Sequence, residues 1–96
     1  MSKIIVFDKQ NYEGSDTMVA EDNVESLKGT GLNNDISSII VISGTWVLYE
    51  HVNYSGKSWT VSDSGGPAQD GCYPTFTDWT GSGDNNEIGS FKVQGT

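Results

Sequence analysis

The chain has 96 residues, of which 5 are Lys or Arg and 13 are Asp or Glu; the formal charge of −8 argues against nucleic acid, whose backbone is gripped by basic side chains. No apolar run approaches the length of a membrane span, and Cys72, the single cysteine, excludes an intrachain disulfide and, with one histidine, a closed zinc site. With 34% hydrophobic residues and 12 Gly against 2 Pro, much of the volume of one modest core falls to three Trp, four Tyr and three Phe.

Taken in chain order, Lys3 to Asp8 (KIIVFD) is β-branched and aromatic and predicts a strand, QNYEG supplies a turn, and Asp16 to Ala20 (DTMVA) is the returning partner. The segment from Glu21 to Gly31 reads as an arch, with room for one turn of helix at Asn23 to Leu27, capped by Asp22 or Asn23 and broken by Gly29 and Gly31. SSIIVISGTWVLYE then predicts two strands on either side of Ser43-Gly44. KSWTVS, from Lys57, returns a second hairpin; a long polar loop follows, and Ile88 to Val93 (IGSFKV) is the last strand. Tyr73 and Trp79 in that loop are expected to pack into the core with their polar tips satisfied.

Two elements occur twice. Phe7, Tyr12 and Gly14 in FDKQNYEG match Tyr49, Tyr54 and Gly56 in YEHVNYSG at the same spacing; NNDISS (Asn33 to Ser38) matches NNEIGS (Asn85 to Ser90) just before the last apolar strand of each half. A duplicated aromatic hairpin followed by a duplicated Asn/Asp-rich turn predicts two interlocking β-motifs around a shared core. Such turns offer carbonyl, carboxylate and hydroxyl oxygens close together, which is what calcium requires; held by Ser hydrogen bonds alone, they would be ordinary structural turns.

Both motifs together, in this order and twice over, resemble the βγ-crystallin family, and most closely its single-domain calcium-binding members outside the lens. The resemblance implies an all-β fold of two Greek-key motifs forming a two-sheet β-sandwich, with residues 1–96 as one domain, a first key over about 1–43 and a second over about 44–96. It also implies Ca2+, up to two ions held between the two turns. The implied ligands are the main-chain oxygens of Asp8 and Glu50, Asp35 and Glu87 at the third position of each turn, and the hydroxyl of Ser37 at the fifth. Gly89 occupies the other fifth position and has no side chain to donate, so the two sites are expected to be unequal. Gly89→Ser is expected to restore an oxygen.

Other chemistries fail on spacing. An EF-hand loop begun at Asp78 would set Gly89 where the bidentate Glu belongs, and Gly56-Lys57-Ser58 lacks the first glycine of a P-loop because His51 stands there. No nucleophile is paired with a base and no carboxylate pair is singled out, so no enzyme is expected. Asn53-Tyr54-Ser55 forms a glycosylation sequon, but it lies inside the hairpin signature. The start of the chain lacks the apolar stretch of a signal peptide, so a cytoplasmic monomer with no membrane or nucleic-acid partner is expected. The rival to a calcium-binding protein is a metal-independent structural, stress or interaction module.

Overall fold

A computed structural model describes residues 2–14, 16–29, 32, 36–75 and 88–94. Seven strands appear among them: β1 (Lys3–Phe7), β2 (Thr17–Ala20), β3 (Ser38–Ser43), β4 (Thr45–His51), β5 (Ser55–Ser62), β6 (Cys72–Tyr73) and β7 (Ser90–Val93). They form two antiparallel sheets, one ordered β2-β1-β3-β6 and the other β5-β4-β7. The expected all-β sandwich of two Greek keys is the fold observed.

Period-two alternation decides which side chains lie between the sheets. Ile4 and Val6 of β1 and Ile39 and Val41 of β3 face Trp46 and Leu48 of β4, Val61 of β5 and Phe91 of β7, all of them buried. Trp46 and Phe91 meet edge to face with centroids 5.8 Å apart, and the Trp46 indole N–H donates to the Ser43 carbonyl at 3.2 Å. Leu27, Leu32, Ile36 and Ile88, from the connecting segments, close the same core.

The two halves exchange elements. β6, from the second half, pairs with β3 of the first through Ile39↔Tyr73 and Ile40↔Cys72. In return Val24 bridges Phe91 of β7, and the Leu27 N–H donates to the Gly89 carbonyl at 2.9 Å. The helical turn expected at Asn23 to Leu27 is therefore absent: the segment lies extended along β7, with Asn23 Oδ1 accepting from the Val93 N–H at 2.9 Å. One isolated helical turn fixes several dihedrals for very few hydrogen bonds, whereas docking on β7 supplies strand-like bonds and buries Leu27. The final strand is also two residues shorter than IGSFKV, because Ile88 and Gly89 serve the turn instead.

β3 and β4 lie in different sheets, so Gly44 is a corner and not a hairpin turn. Asp63 locks it: its Oδ2 accepts from the Gly44 N–H at 3.2 Å and its own N–H donates to the Gly44 carbonyl at 3.1 Å. Tyr73 is buried as expected, and its hydroxyl accepts from the Ser62 N–H at 3.1 Å. Trp79 lies outside the described residues.

Candidate metal centre

Each folded hairpin carries two successive residues in the left-handed region: Asn11 (φ 59°) and Tyr12 (φ 62°) in the first, Asn53 (φ 59°) and Tyr54 (φ 57°) in the second. Asn tolerates that conformation, but Tyr does so only when its surroundings hold it there. Three contacts hold it, and they are the same in both halves. The Tyr12 ring stacks edge to face on Phe7 at 5.7 Å and Tyr54 on Tyr49 at 5.8 Å. The Tyr12 N–H donates to Ser38 Oγ and the Tyr54 N–H to Ser90 Oγ, both at 3.0 Å. Each serine in turn donates to a hairpin carbonyl at 2.6 Å, Ser38 to Lys9 and Ser90 to His51.

The hairpin tips reach across to the opposite half. The Asn11 N–H donates to the Pro74 carbonyl at 2.8 Å, and the Asn53 N–H to the Glu25 carbonyl at 2.7 Å. This is the work that the sequon residue Asn53 does; Ser55 Oγ meanwhile donates to the Val52 carbonyl at 2.9 Å.

Sequence reasoning singled out the fifth position of each turn and passed over the sixth. Ser38 and Ser90, both fully buried, are the residues that fasten hairpin to turn. Their signal was present, since the two six-residue elements both end in Ser. Only the fold shows what the hydroxyl touches.

The fifth-position residues sit one step away. The Ser37 N–H donates to the Phe7 carbonyl at 2.8 Å, and the Gly89 N–H to the Tyr49 carbonyl at 2.9 Å. Each turn thus abuts the hairpin of its own half, bringing Ser37 beside Asp8 and Gly89 beside Glu50. Asp35 and Glu87, the expected third-position ligands, lie outside the described residues.

The carboxylates of Asp8 and Glu50 are engaged within their hairpins. Asp8 Oδ1 accepts from the Asp16 N–H at 3.4 Å, and Glu50 Oε1 accepts from the Lys57 N–H at 3.3 Å while lying 3.4 Å from His51 Nε2. The signature glycines leave room for them: a Cβ at Gly14 (φ 111°) would overlap the Asp8 carboxylate, and one at Gly56 (φ 86°) would lie 3.0 Å from Glu50 Oε1. The resemblance assigns the main-chain oxygens of Asp8 and Glu50, not these carboxylates, to a cation. Among the described residues no hydrogen bond ends on the Asp8 carbonyl oxygen. Likewise, no three Asp, Glu, His or Cys side chains converge among the described residues.

Space is not equal in the two halves. A Cβ at Gly89 would lie 2.9 Å from the His51 carbonyl carbon, 3.0 Å from the Val52 nitrogen and 3.2 Å from the Glu50 carbonyl oxygen. A serine there meets backbone, which cannot swing aside as a flexible side chain can. Lys92 also lies in this half, its ammonium 5.2 Å from the Tyr54 ring centroid and 5.8 Å from that of Tyr49. The matching position in the first half is Ile40.

Two groups near these junctions titrate high. Burial, followed by the charges of Glu25 and Asp22, raises the Tyr54 phenol above its ordinary value. Burial raises the Cys72 thiol as well, with Asp70 adding to the rise and a hydrogen bond with Tyr12 partly opposing it.

The profile of the Beta/Gamma crystallin family matches residues 3–93. The chain belongs to the βγ-crystallin family. A beta/gamma-crystallin of Ciona intestinalis is 35% identical over 94 residues, covering 98% of this chain and all of that one. The solved structure of a beta gamma crystallin from Ciona intestinalis superposes with a TM-score of 0.80 at 34% identity, covering 96% of this chain and 99% of the other. A βγ-crystallin from an archaeon gives a TM-score of 0.79 at 33% identity over 97% of this chain and 98% of its own. Beta-crystallin B1 of Rattus norvegicus is 41% identical over 92 residues, 96% of this chain, but the match spans only 30% of the rat protein. One βγ-crystallin unit of this kind thus corresponds to the whole Ciona protein and to under a third of the rat one.

Proposed function

We propose that this βγ-crystallin chain binds calcium and is stabilised by it, the ion being held where the hairpins meet the turns. The residues that would hold it are Asp8 and Glu50 through main-chain oxygen, Ser37 through its hydroxyl, and Asp35 and Glu87 of the turns. The carrying observation is the registration of Ser37 on Phe7, which sets a hydroxyl-bearing residue next to Asp8, to whose carbonyl no described residue donates. An excess of acidic residues, 13 against 5 basic ones, favours a divalent cation in that neighbourhood.

When bound, the ion would supply a cross-link between hairpin and turn that exists only in the folded state. Linkage then raises stability by RT ln(1 + [L]/Kd), or about 2.7 kcal/mol at a hundredfold excess over Kd. No catalysis is proposed, in keeping with a family that is structural and non-enzymatic in general.

A metal-independent structural role is the second reading, favoured by one observation. Both junctions are already closed by protein hydrogen bonds through Ser38 and Ser90, and the Asp8 and Glu50 carboxylates are already engaged. Scanning calorimetry in millimolar calcium and in chelator separates the two. A higher unfolding midpoint in calcium, with a smaller rise in magnesium, is the expected result, because magnesium demands a tighter octahedral shell. Equal midpoints in calcium and chelator would establish the structural role.

A further inference from the structure

We propose that the outer edge of β2 is a self-association surface, on which a second copy of this chain sets its own β2 in antiparallel register, joining the two larger sheets into one.

The hydrogen-bond ladder decides which backbone groups face outward. The Asp8 N–H donates to the Asp16 carbonyl at 3.2 Å, and the register continues Phe7↔Thr17, Val6↔Met18, Ile5↔Val19 and Ile4↔Ala20. Antiparallel pairs alternate between bonded and non-bonded, so Met18 and Ala20 turn their N–H and C=O toward β1, while Thr17 and Val19 turn theirs away from it. β2 is the end strand of its sheet, and among the described residues nothing bonds to those outward groups. The Val19 side chain beside them is 55% exposed.

The other half shows that the fold does not require such an edge. Ile5 and Val47 each stand two residues before the first aromatic of their hairpin. Ile5 lies between Val19 and Ile40, whereas Val47 lies between Thr60 and Lys92. The outer row of the first sheet is thus apolar up to its edge, where the matching row ends in a threonine and a lysine. The β5 edge is also closed at one end, since the Ser62 N–H donates to the Tyr73 hydroxyl and the Ser62 carbonyl accepts from the Gly65 N–H, both at 3.1 Å. Lys57 lies on β5, but Thr17–Ala20 contains neither Lys nor Pro, residues that commonly keep an edge from pairing.

The backbone alone would accept any extended segment; the side chains select a second copy. With a two-fold axis at Met18, Thr17 of one copy lies opposite Val19 of the other, and each such pair exchanges both of its backbone bonds. These two β-branched residues meet on the outer face. The two Met18 side chains meet on the inner face, beside the core that each already packs against. Asp16 falls opposite Ala20, so no carboxylates of the paired strands oppose each other directly. The contact is small beside the roughly 1,000 Å² of a stable interface, and each copy carries a formal charge of −8. Pairing is therefore weak and reversible, strengthens as salt screens the repulsion, and leaves the monomer as the dilute state.

Sedimentation velocity of the full chain in chelator, from micromolar to millimolar concentration, tests this independently of calcium. The expected result is a monomer–dimer equilibrium that shifts toward dimer as sodium chloride is added. Amide exchange on the same samples should slow with concentration at Thr17 and Val19 but not at Met18, whose N–H is already bonded within the sheet. Thr17→Pro removes an outward donor at the first residue of a strand, where proline is tolerated, and is expected to weaken association roughly tenfold or more. Val19→Lys should do the same, and Thr60→Lys on the matching edge should leave association unchanged. A chain that stays monomeric at millimolar concentration in high salt would overturn the proposal. So would a dimer in which Thr17 and Val19 keep their dilute exchange rates, or in which both β2 variants associate like the parent.

Discussion

The Ser38 hydroxyl donates to the Lys9 carbonyl at 2.6 Å, across 29 residues of sequence, and in the same position accepts the Tyr12 N–H. One buried oxygen therefore satisfies two backbone groups of a hairpin whose tyrosine is held at positive φ. Ser90 repeats the arrangement with His51 and Tyr54. Removing either hydroxyl leaves a donor and an acceptor without that partner in a site poorly reached by water. Ser38→Ala and Ser90→Ala are each expected to cost about 1–3 kcal/mol, measured by urea unfolding in chelator. A loss below a few tenths of a kcal/mol in both would show that the hairpins hold themselves.

Ser37 is expected to behave in the opposite way. It is nearly as buried as Ser38, but the bond that registers it on Phe7 comes from its main-chain N–H, which alanine retains. With that bond kept and little core volume lost, Ser37→Ala is expected to remain folded without calcium while weakening calcium at least tenfold, about 1.4 kcal/mol. Thermal scans with and without calcium read both quantities from one protein. An unfolded apo variant would mean that the Ser37 side chain is structural.

Two glycines with nearly equal φ separate conformational strain from steric contact. Among the described residues, nothing lies within 4 Å of a would-be Cβ at Gly29 (φ 84°), whereas at Gly56 (φ 86°) the Cβ would lie 2.6 Å from His51 Cδ2 and 3.1 Å from Glu50 Cβ. Gly29→Ala is expected to cost about 1 kcal/mol, the left-handed penalty alone. Gly56→Ala should cost more by roughly 1–2 kcal/mol, because His51 and Glu50 must move. Equal losses, by denaturant titration, would mean that His51 yields freely.

Alkaline stability follows from the two raised groups. Tyr54 and Cys72 bind their protons more tightly in the folded state than at their ordinary values of 10.0 and 9.0, so their contribution is intact below those values and is lost as pH climbs through the folded ones. The unfolding midpoint is expected to decline from about pH 9 upward, and Tyr54→Phe and Cys72→Ser should each flatten part of that decline. A parent and a double variant with superimposable profiles between pH 8 and 11 would contradict it.

Much of the fold was legible because its determinants are local. The alternation of Ile4 and Val6 with their outward neighbours names the core face of β1 before any partner is known. The Phe7, Tyr12, Gly14 spacing and its second copy encode a folded hairpin in a few residues, because a left-handed tip and an uncrowded glycine are properties of short segments. The pair of Asn/Asp-rich turns likewise announced oxygen-rich junctions, and the family followed from the order of these parts.

Tertiary structure decided whatever depends on residues distant in sequence. Asn23 to Leu27 reads as a helical turn by itself, yet it lies extended because β7 offers it hydrogen-bond partners and a buried place for Leu27. Ser38 and Ser90 were visible as letters, but their roles depend on hairpin carbonyls that folding brings alongside. Gly89 is the sharpest case. In the sequence it is a missing hydroxyl, to be restored by serine; in the fold it is a point where two backbone segments touch, leaving no room for a side chain. Composition and periodicity specify which faces are buried and which turns form, because those preferences act over a few bonds. They cannot specify how closely two remote backbones pack, because that distance is settled only when the whole core closes.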